Sequence, residues 1–395
     1  MLNTTNLKTM TLRPPPLAMY IHIPWCSKKC PYCDFNSHES LKKIPERKYV
    51  NALVADIKTD LDFVQGRKLS SIFFGGGTPS LFTGASISTI IKFAEQLVGF
   101  TDDVEITLEA NPESVTLQKL QDFCKAGVNR ISIGVQTFNN QQLNLLGRLH
   151  SSYSAIEAIE MAKSAGINRI NIDLMYGLKA QNVSNALKDL QFAISTGVEH
   201  ISWYQLTIEK NTMFFNNPPK LPDCRVISEI QDYGSQLLAN HGYEQYEISS
   251  FARERKQCTH NQNYWEFGDY IGIGAGAHGK ITLHNEQTLL RTVRTRQPND
   301  YLKQKNKGEK KSMSVEVSQR PLEFMMNALR LKNGVPLKYF SERTGLHESY
   351  ISKIVFNLKE AGLLVDTEKQ LLTTPLGFRF LDTILGRFVR SGDLS

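Results

Sequence analysis

From residue 19 to residue 208 the chain alternates short apolar runs with longer stretches whose apolar positions recur every three to four residues. The short runs, at 19–23, 71–74, 104–109, 130–135, 169–175 and 200–208, predict strands. The longer stretches, at 45–64, 85–97, 116–126, 139–165 and 182–195, predict helices, the fourth broken near Gly147. Gly127, Gly166 and Gly197 each stand just past a periodic run, where helices commonly end. Strands alternating with helices imply βαβ units around a parallel sheet. Continuous apolar runs such as Ile72-Phe73-Phe74 suit strands covered on both faces. Six repeats are too few for a closed eight-stranded barrel. The pattern therefore predicts an α/β fold built on a partial, open (β/α)6 TIM-like barrel.

Beyond Ile208 the alternation stops. Residues 223–240 read as one more helix, 241–284 are rich in glycine and aromatic residues without a clear period, and 285–318 form a basic connector. Helical spacing returns at 321–331, 336–343 and 347–360; then 362–372 reads as a hairpin and 375–389 as a last helix. That order predicts a helical, winged-helix-like C-terminal domain. The expected organisation is a mobile tail at 1–17, a barrel core at 18–240, a connector at 241–318 and the C-terminal domain at 319–395. The third C-terminal helix carries Lys353 and Lys359 but also Glu348 and Glu360. That is a poor basic face, so no nucleic-acid partner is expected.

Composition adds little to this and charge adds one feature. With 395 residues, 41% hydrophobic and 22% charged, the chain reads as an ordinary globular protein of two or three domains. No apolar run approaches the length of a membrane span, and the first 18 residues lack an apolar signal core, so a cytoplasmic protein is expected. Most of the net charge of +7 falls between residues 291 and 311. There Arg291, Arg294, Arg296, Lys303, Lys305, Lys307, Lys310 and Lys311 face only Asp300 and Glu309. Such a segment can meet nucleic acid, acidic lipid or an anionic ligand; a solvated loop is the plainer reading.

Three of the six cysteines, Cys26, Cys30 and Cys33, share one loop directly after the first strand. A C-x3-C-x2-C loop can present three thiolates to three irons of a cubane, leaving one iron without a protein ligand. Structural zinc normally takes four closed ligands from paired C-x2-C motifs, which this sequence lacks. Polar motifs then close the predicted strands at their carboxyl ends, the functional face of a barrel. Gly75-Gly76-Gly77-Thr78-Pro79 follows the second strand, Glu109 ends the third, Gln136 ends the fourth and Asp173 lies within the fifth. Three glycines let backbone approach a ligand closely, or make a simple turn. Glu109 suits ribose hydroxyls or a cationic amine, and Gln136 and Asp173 suit ligand contacts or hydrogen-bonded core positions. Arg148, beyond Gly147, suits pairing with a carboxylate or an exposed helix end.

The string IHIPWCSKKCPYCDFNS, from Ile21 to Ser37, resembles the cluster loop of the radical S-adenosylmethionine (SAM) superfamily. It is most similar to the branch holding oxygen-independent coproporphyrinogen dehydrogenases and HemW-type haem chaperones, and the likeness runs from about Tyr20 to about Val389. The resemblance implies a [4Fe–4S] cluster on Cys26, Cys30 and Cys33 with SAM on the open iron. It also implies SAM contacts at Tyr20, Gly76, Gly77, Thr78, Glu109, Gln136, Arg148 and Asp173. The dehydrogenases carry an extra cysteine two residues after the third cluster cysteine; here that residue is Phe35, the pattern of the chaperone branch. His260-Asn261-Gln262-Asn263-Tyr264-Trp265 matches H-N-x-x-Y-W, which that branch associates with haem binding. Neutral imidazole is a good axial ligand for haem iron, and adjacent aromatics can cover a porphyrin face. A histidine buried among aromatics is the plainer reading, and Cys258 and His278 are rival ligands. The resemblance thus implies a chaperone that delivers haem to acceptor proteins, with no catalytic residue assigned and a homodimer within its range. Radical-SAM decarboxylation of coproporphyrinogen III is the alternative.

Overall fold

The computed structural model describes residues 10–40, 43–304 and 308–389. All six expected strands form, parallel and in sequence order: β1 (Leu17–Ile23), β2 (Leu69–Gly76), β3 (Phe100–Ala110), β4 (Arg130–Gln136), β5 (Arg169–Tyr176) and β6 (His200–Gln205). Helices α1 (Glu46–Thr59), α2 (Gly84–Leu97), α3 (Leu117–Ala126), α4 (Ser152–Ser164) and α5 (Val183–Ser195) connect them. Thr83, Thr116, Ser151 and Asn182 start α2 to α5, each side-chain oxygen accepting a free backbone N–H of the first turn. The helix expected over 45–64 breaks at Asp60, whose carboxylate bonds Arg294 and Lys310. The break expected near Gly147 is there: its φ is +69°, and a Cβ would stand 2.9 Å from the Pro31 ring. Every residue of β4 is buried, as a strand covered on both faces must be.

The sheet is longer than the sequence pattern indicated. Beyond β6 lie β7 (Glu244–Gln245) and β8 (Ser250–Ala252), both in antiparallel pairing. On the free side of β1 lies β9 (Asp269–Ile273), parallel to β1 with Gly272 opposite Tyr20. Then follow β10 (His278–Leu283), β11 (Thr288–Arg294) and β12 (Lys310–Ser314), all antiparallel. The result is an open mixed sheet of twelve strands among the described residues, ending at β12 and β7. Helices α6 (Cys224–Asn240) and α7 (Thr259–Trp265) lie within the later region.

Three expectations need correction. The basic connector is only partly solvated: Arg296, Lys303 and Lys311 are exposed, but three other cations are paired within the fold. Arg294 is fully buried between Asp56 and Asp60, Arg291 pairs with Glu323 at 2.6 Å, and Lys310 bonds Asp60. Lys305 and Lys307 lie outside the described residues. The mobile tail is docked over its last part. Met10 N donates to Gly345 O, Arg13 N donates to Glu342 O, and Leu12 is buried in an apolar cluster with Phe324 and Phe340. Its residues 1–9 lie outside the described residues. The hairpin expected at 362–372 holds through one bridge, Leu364 to Thr373, while Gln370–Leu371 pairs with Val335–Pro336 instead. The C-terminal helices Arg320–Ala328, Lys338–Thr344 and Ser352–Glu360 form, and the last helix breaks at Phe380 into Pro375–Arg379 and Leu381–Leu385. No helix among the described residues is long and apolar enough to cross a membrane.

Candidate functional site

The cysteine loop hangs from the carboxyl end of β1. Its base is closed by parallel pairing of Trp25–Cys26 with His38–Glu39. Within it Cys33 N donates to Cys30 O, and Cys33 Sγ lies 3.5 Å from Ser37 Oγ. Asn36 ties the loop to the later strands by donating to the carbonyls of Ala275 and Arg296. All three sulfurs belong to free cysteines that line a chamber of about 340 Å³. Burial first, and then the neighbouring Cys33 and Cys30, push the Cys26 thiol up to about 11. A thiol so placed ionises when cationic metal is present to compensate. Among the described residues no three His, Cys, Asp or Glu groups converge on a single ion.

The glycine turn is stitched directly to this loop. Gly77 N donates to Ile23 O, and Thr78 N donates to Trp25 O, both at 2.7 Å. A Cβ on Gly77 would stand 2.4 Å from Trp25 O, so only glycine permits the approach. Gly76 N donates to Glu109 Oε2 at 3.2 Å. Arg148 donates to Asn111 Oδ1 at 2.5 Å and Gly134 O at 2.8 Å, and reaches Cys30 Sγ at 3.7 Å. Its Nε is buried without an acceptor among the described residues. Gln136, at φ +68°, accepts from Tyr204 OH, and Asp173 accepts from Ser132 and Asn171. Burial, followed by the charge of Asp173, pushes the Glu109 carboxyl up to about 8; burial also raises Asp173. Gly76, Gly77, Thr78, Glu109, Gln136, Arg148 and Asp173 all line the chamber that holds the cysteines. Tyr20 does not; it faces an adjoining cavity, its hydroxyl 3.2 Å from His22 Nδ1.

That second cavity measures about 730 Å³ and shares Phe35, Gly76, Glu109, Ser132 and Asp173 with the first. His260 lines it from α7 and is 8% exposed. The helix is anchored from below by Glu105 of β3, a position the sequence reading passed over. The Glu105 carboxylate accepts from Thr259 N and His260 N, both at 3.1 Å, and from Cys258 Sγ at 3.3 Å. It also pairs with Arg169 at 2.7 Å and Arg130 at 4.0 Å. Burial opposes its charge, yet the two arginines and the two amides hold it below the usual carboxylate range. His260 Nδ1 lies 3.0 Å from Ser71 Oγ, and no described residue hydrogen-bonds its Nε2. Burial lowers the imidazole to about 4, so it is neutral near pH 7. Aromatic rings surround it. Phe73 and Tyr20 lie 5.1 and 6.5 Å from the His260 ring, and Tyr264 packs against Trp265 and Tyr270 at 4.7 and 5.2 Å. Cys258 is fully buried, bonded to Glu105 and pushed up to about 12, so it stays a protonated thiol beneath the helix. His278 lines the same cavity as His260.

Comparison with known proteins places the chain in a family. Residues 20–193 match the radical SAM superfamily model, and residues 316–380 match the HemN C-terminal domain. The chain is 45% identical to "Heme chaperone HemW" of Haemophilus influenzae, over 95% of this chain and 98% of that protein. It is 44% identical to the protein of the same name from Escherichia coli, with the same coverage. It is 33% identical to the bovine mitochondrial radical S-adenosyl methionine domain-containing protein 1, over 93% of this chain and 86% of that one. The structure of Escherichia coli coproporphyrinogen III oxidase superposes with a TM-score of 0.80 at 22% identity, covering 95% of this chain and 90% of that one. At that identity the likeness speaks for the fold alone.

Proposed function

This chain belongs to the HemW family of the radical SAM superfamily, and from that premise we propose that it binds haem against His260 and passes it to acceptor proteins. The observation that carries the reading is a neutral imidazole with one nitrogen held by Ser71 and the other without a hydrogen-bond partner among the described residues, beside a cavity of about 730 Å³. That volume is in the range of small-molecule and cofactor pockets. Tyr264, Trp265, Tyr270 and Phe73 supply apolar cover for a flat macrocycle. One imidazole without a covalent thioether link suits a carrier, because the ligand must also leave.

Cys26, Cys30 and Cys33 would hold a [4Fe–4S] cluster, and the adjoining chamber would hold SAM. When bound, the pair supplies one-electron chemistry at the head of the barrel. The chain's own part is to position it. The glycine turn at Gly76 and Gly77 admits a ligand close to backbone, Arg148 brings a guanidinium to the chamber wall, and Glu109 offers a carboxyl whose charge depends on its neighbours. Free cysteines in such a loop fit a reducing compartment, and the cytoplasm is the proposed one. The alternative, oxidative decarboxylation of coproporphyrinogen III, is disfavoured by Phe35 in the place of the dehydrogenase cysteine. The test is anaerobic. Reconstituted protein loaded with haem should transfer it to an apo-globin, and with coproporphyrinogen III, SAM and reductant it should make no protoporphyrinogen IX. More product than protein, with no haem uptake, would reverse the assignment.

A further inference from the structure

The larger cavity has two unlike ends. At the inner end His260 is 8% exposed and the shared wall carries Glu109 and Asp173. Toward solvent the lining includes Arg296 and His278, both exposed. The basic residues near Arg296 are neutralised within the fold: Arg291 by Glu323, Arg294 by Asp56 and Asp60, and Lys310 by Asp60. Arg296 makes no salt bridge to any described residue. Its backbone is nevertheless fixed, because Asn36 donates to its carbonyl at 2.9 Å and Gly276 N donates to Thr295 O at 2.9 Å. Arg296 thus carries a cation to the cavity mouth without a counter-charge among the described residues. His278 stands close enough that burial, followed by Arg291 and Arg296, keeps its imidazole below the ordinary histidine range, which leaves it a neutral hydrogen-bonding group.

Haem is similarly two-ended: an apolar macrocycle and two carboxylate arms. Burying those arms unpaired is costly, and the carboxyls of Glu109 and Asp173 at the inner end offer them no counter-charge. We infer that Arg296, with His278 beside it, receives the carboxylate arms of the bound tetrapyrrole and fixes which edge of the ring points outward. The inference rests on the haem reading and deepens it by naming what selects an acidic porphyrin over a neutral one. With the arms at the mouth, the ring edge an acceptor protein meets first is the charged one.

The experiment is a Soret titration of the full chain, cluster reconstituted, with haem and with haem dimethyl ester, whose arms carry no charge. Wild type is expected to favour haem by about tenfold, as a charge-assisted hydrogen bond in a partly exposed setting provides. Arg296→Gln should lose that preference by weakening haem while leaving the ester unchanged. Arg296→Lys should restore part of it, and Lys311→Gln, exposed on β12 outside the cavity, should leave it whole. The preference should shrink as salt rises. Equal affinity of wild type for both pigments, or equal weakening of both by Arg296→Gln, would overturn the inference while leaving haem binding intact. Absence of any Soret change with either pigment would overturn the haem reading, and this inference with it.

Discussion

Replacing Glu105 with glutamine keeps the shape of the side chain and removes its charge. In the native protein that carboxylate has no exposed surface and pairs with Arg169 and Arg130. Removing one member of a buried ion pair typically costs about 3–5 kcal/mol. Two features soften the loss: the Arg169 side chain is 27% exposed, and it keeps its bond to Gln257 O. The amide oxygen of glutamine can also still accept from Thr259 N or His260 N. A loss of about 3 kcal/mol near pH 7 is therefore expected. It would be read as a lower urea midpoint at unchanged slope. Glu105 is held below its ordinary value, so its contribution is present above the usual carboxylate range and is lost as pH falls through the folded-state value. The gap between variant and wild type should therefore close in acid. Because Glu105 anchors α7, haem affinity should fall several-fold while cluster iron stays unchanged. A change under about 1 kcal/mol, with haem binding unaltered, would refute the view that this carboxylate secures the helix.

Two further outcomes follow from the same geometry. Replacing Cys26, Cys30 and Cys33 together with alanine should abolish iron binding after anaerobic reconstitution; about four irons retained per chain would sink the assignment. Glu109 is held above its ordinary value, near 8, so the stability tied to its neutral form is present below about pH 4.5 and lost as pH rises through about 8. Glu109→Gln should therefore gain stability relative to wild type between pH 6 and 9 in ligand-free protein, by a few kcal/mol at most. Identical denaturation midpoints for the two proteins across that range would contradict the burial argument.

The barrel was legible because parallel strands covered on both faces read as unbroken apolar runs; β4 is the clearest, with Ile131, Ile133 and Val135 all buried. Helix stops were legible from Gly127, Gly166 and Gly197, each of which takes positive φ just past a helix. Strand β9 was not, because its five residues gain their place only by pairing with β1, some 250 residues earlier in the chain. The strand ending at Arg294 was hidden for a different reason. A buried arginine looks like a loop residue until Asp56 and Asp60 are brought to it from another helix. In the site, the residues at strand ends could be found from position alone, since the carboxyl face of a barrel gathers them. Ser71 and Glu105 could not. Each lies inside a strand and acts on α7, so only the fold reveals what they hold. A charged residue inside the apolar run of β3 was the one available signal for Glu105.

The most direct test of the account is the haem affinity of His260→Ala, measured beside its iron content and SAM binding. The neutral imidazole, lowered to about 4 by burial, should let wild type keep its haem Soret band from pH 7 down to about pH 5, with proton competition only below that. The alanine variant should lose the band across the whole range while retaining its cluster and SAM, which an unfolded protein would not. If His260→Ala binds haem with unchanged affinity and spectrum, haem does not sit on this imidazole, and His278 in the same cavity becomes the next ligand to test.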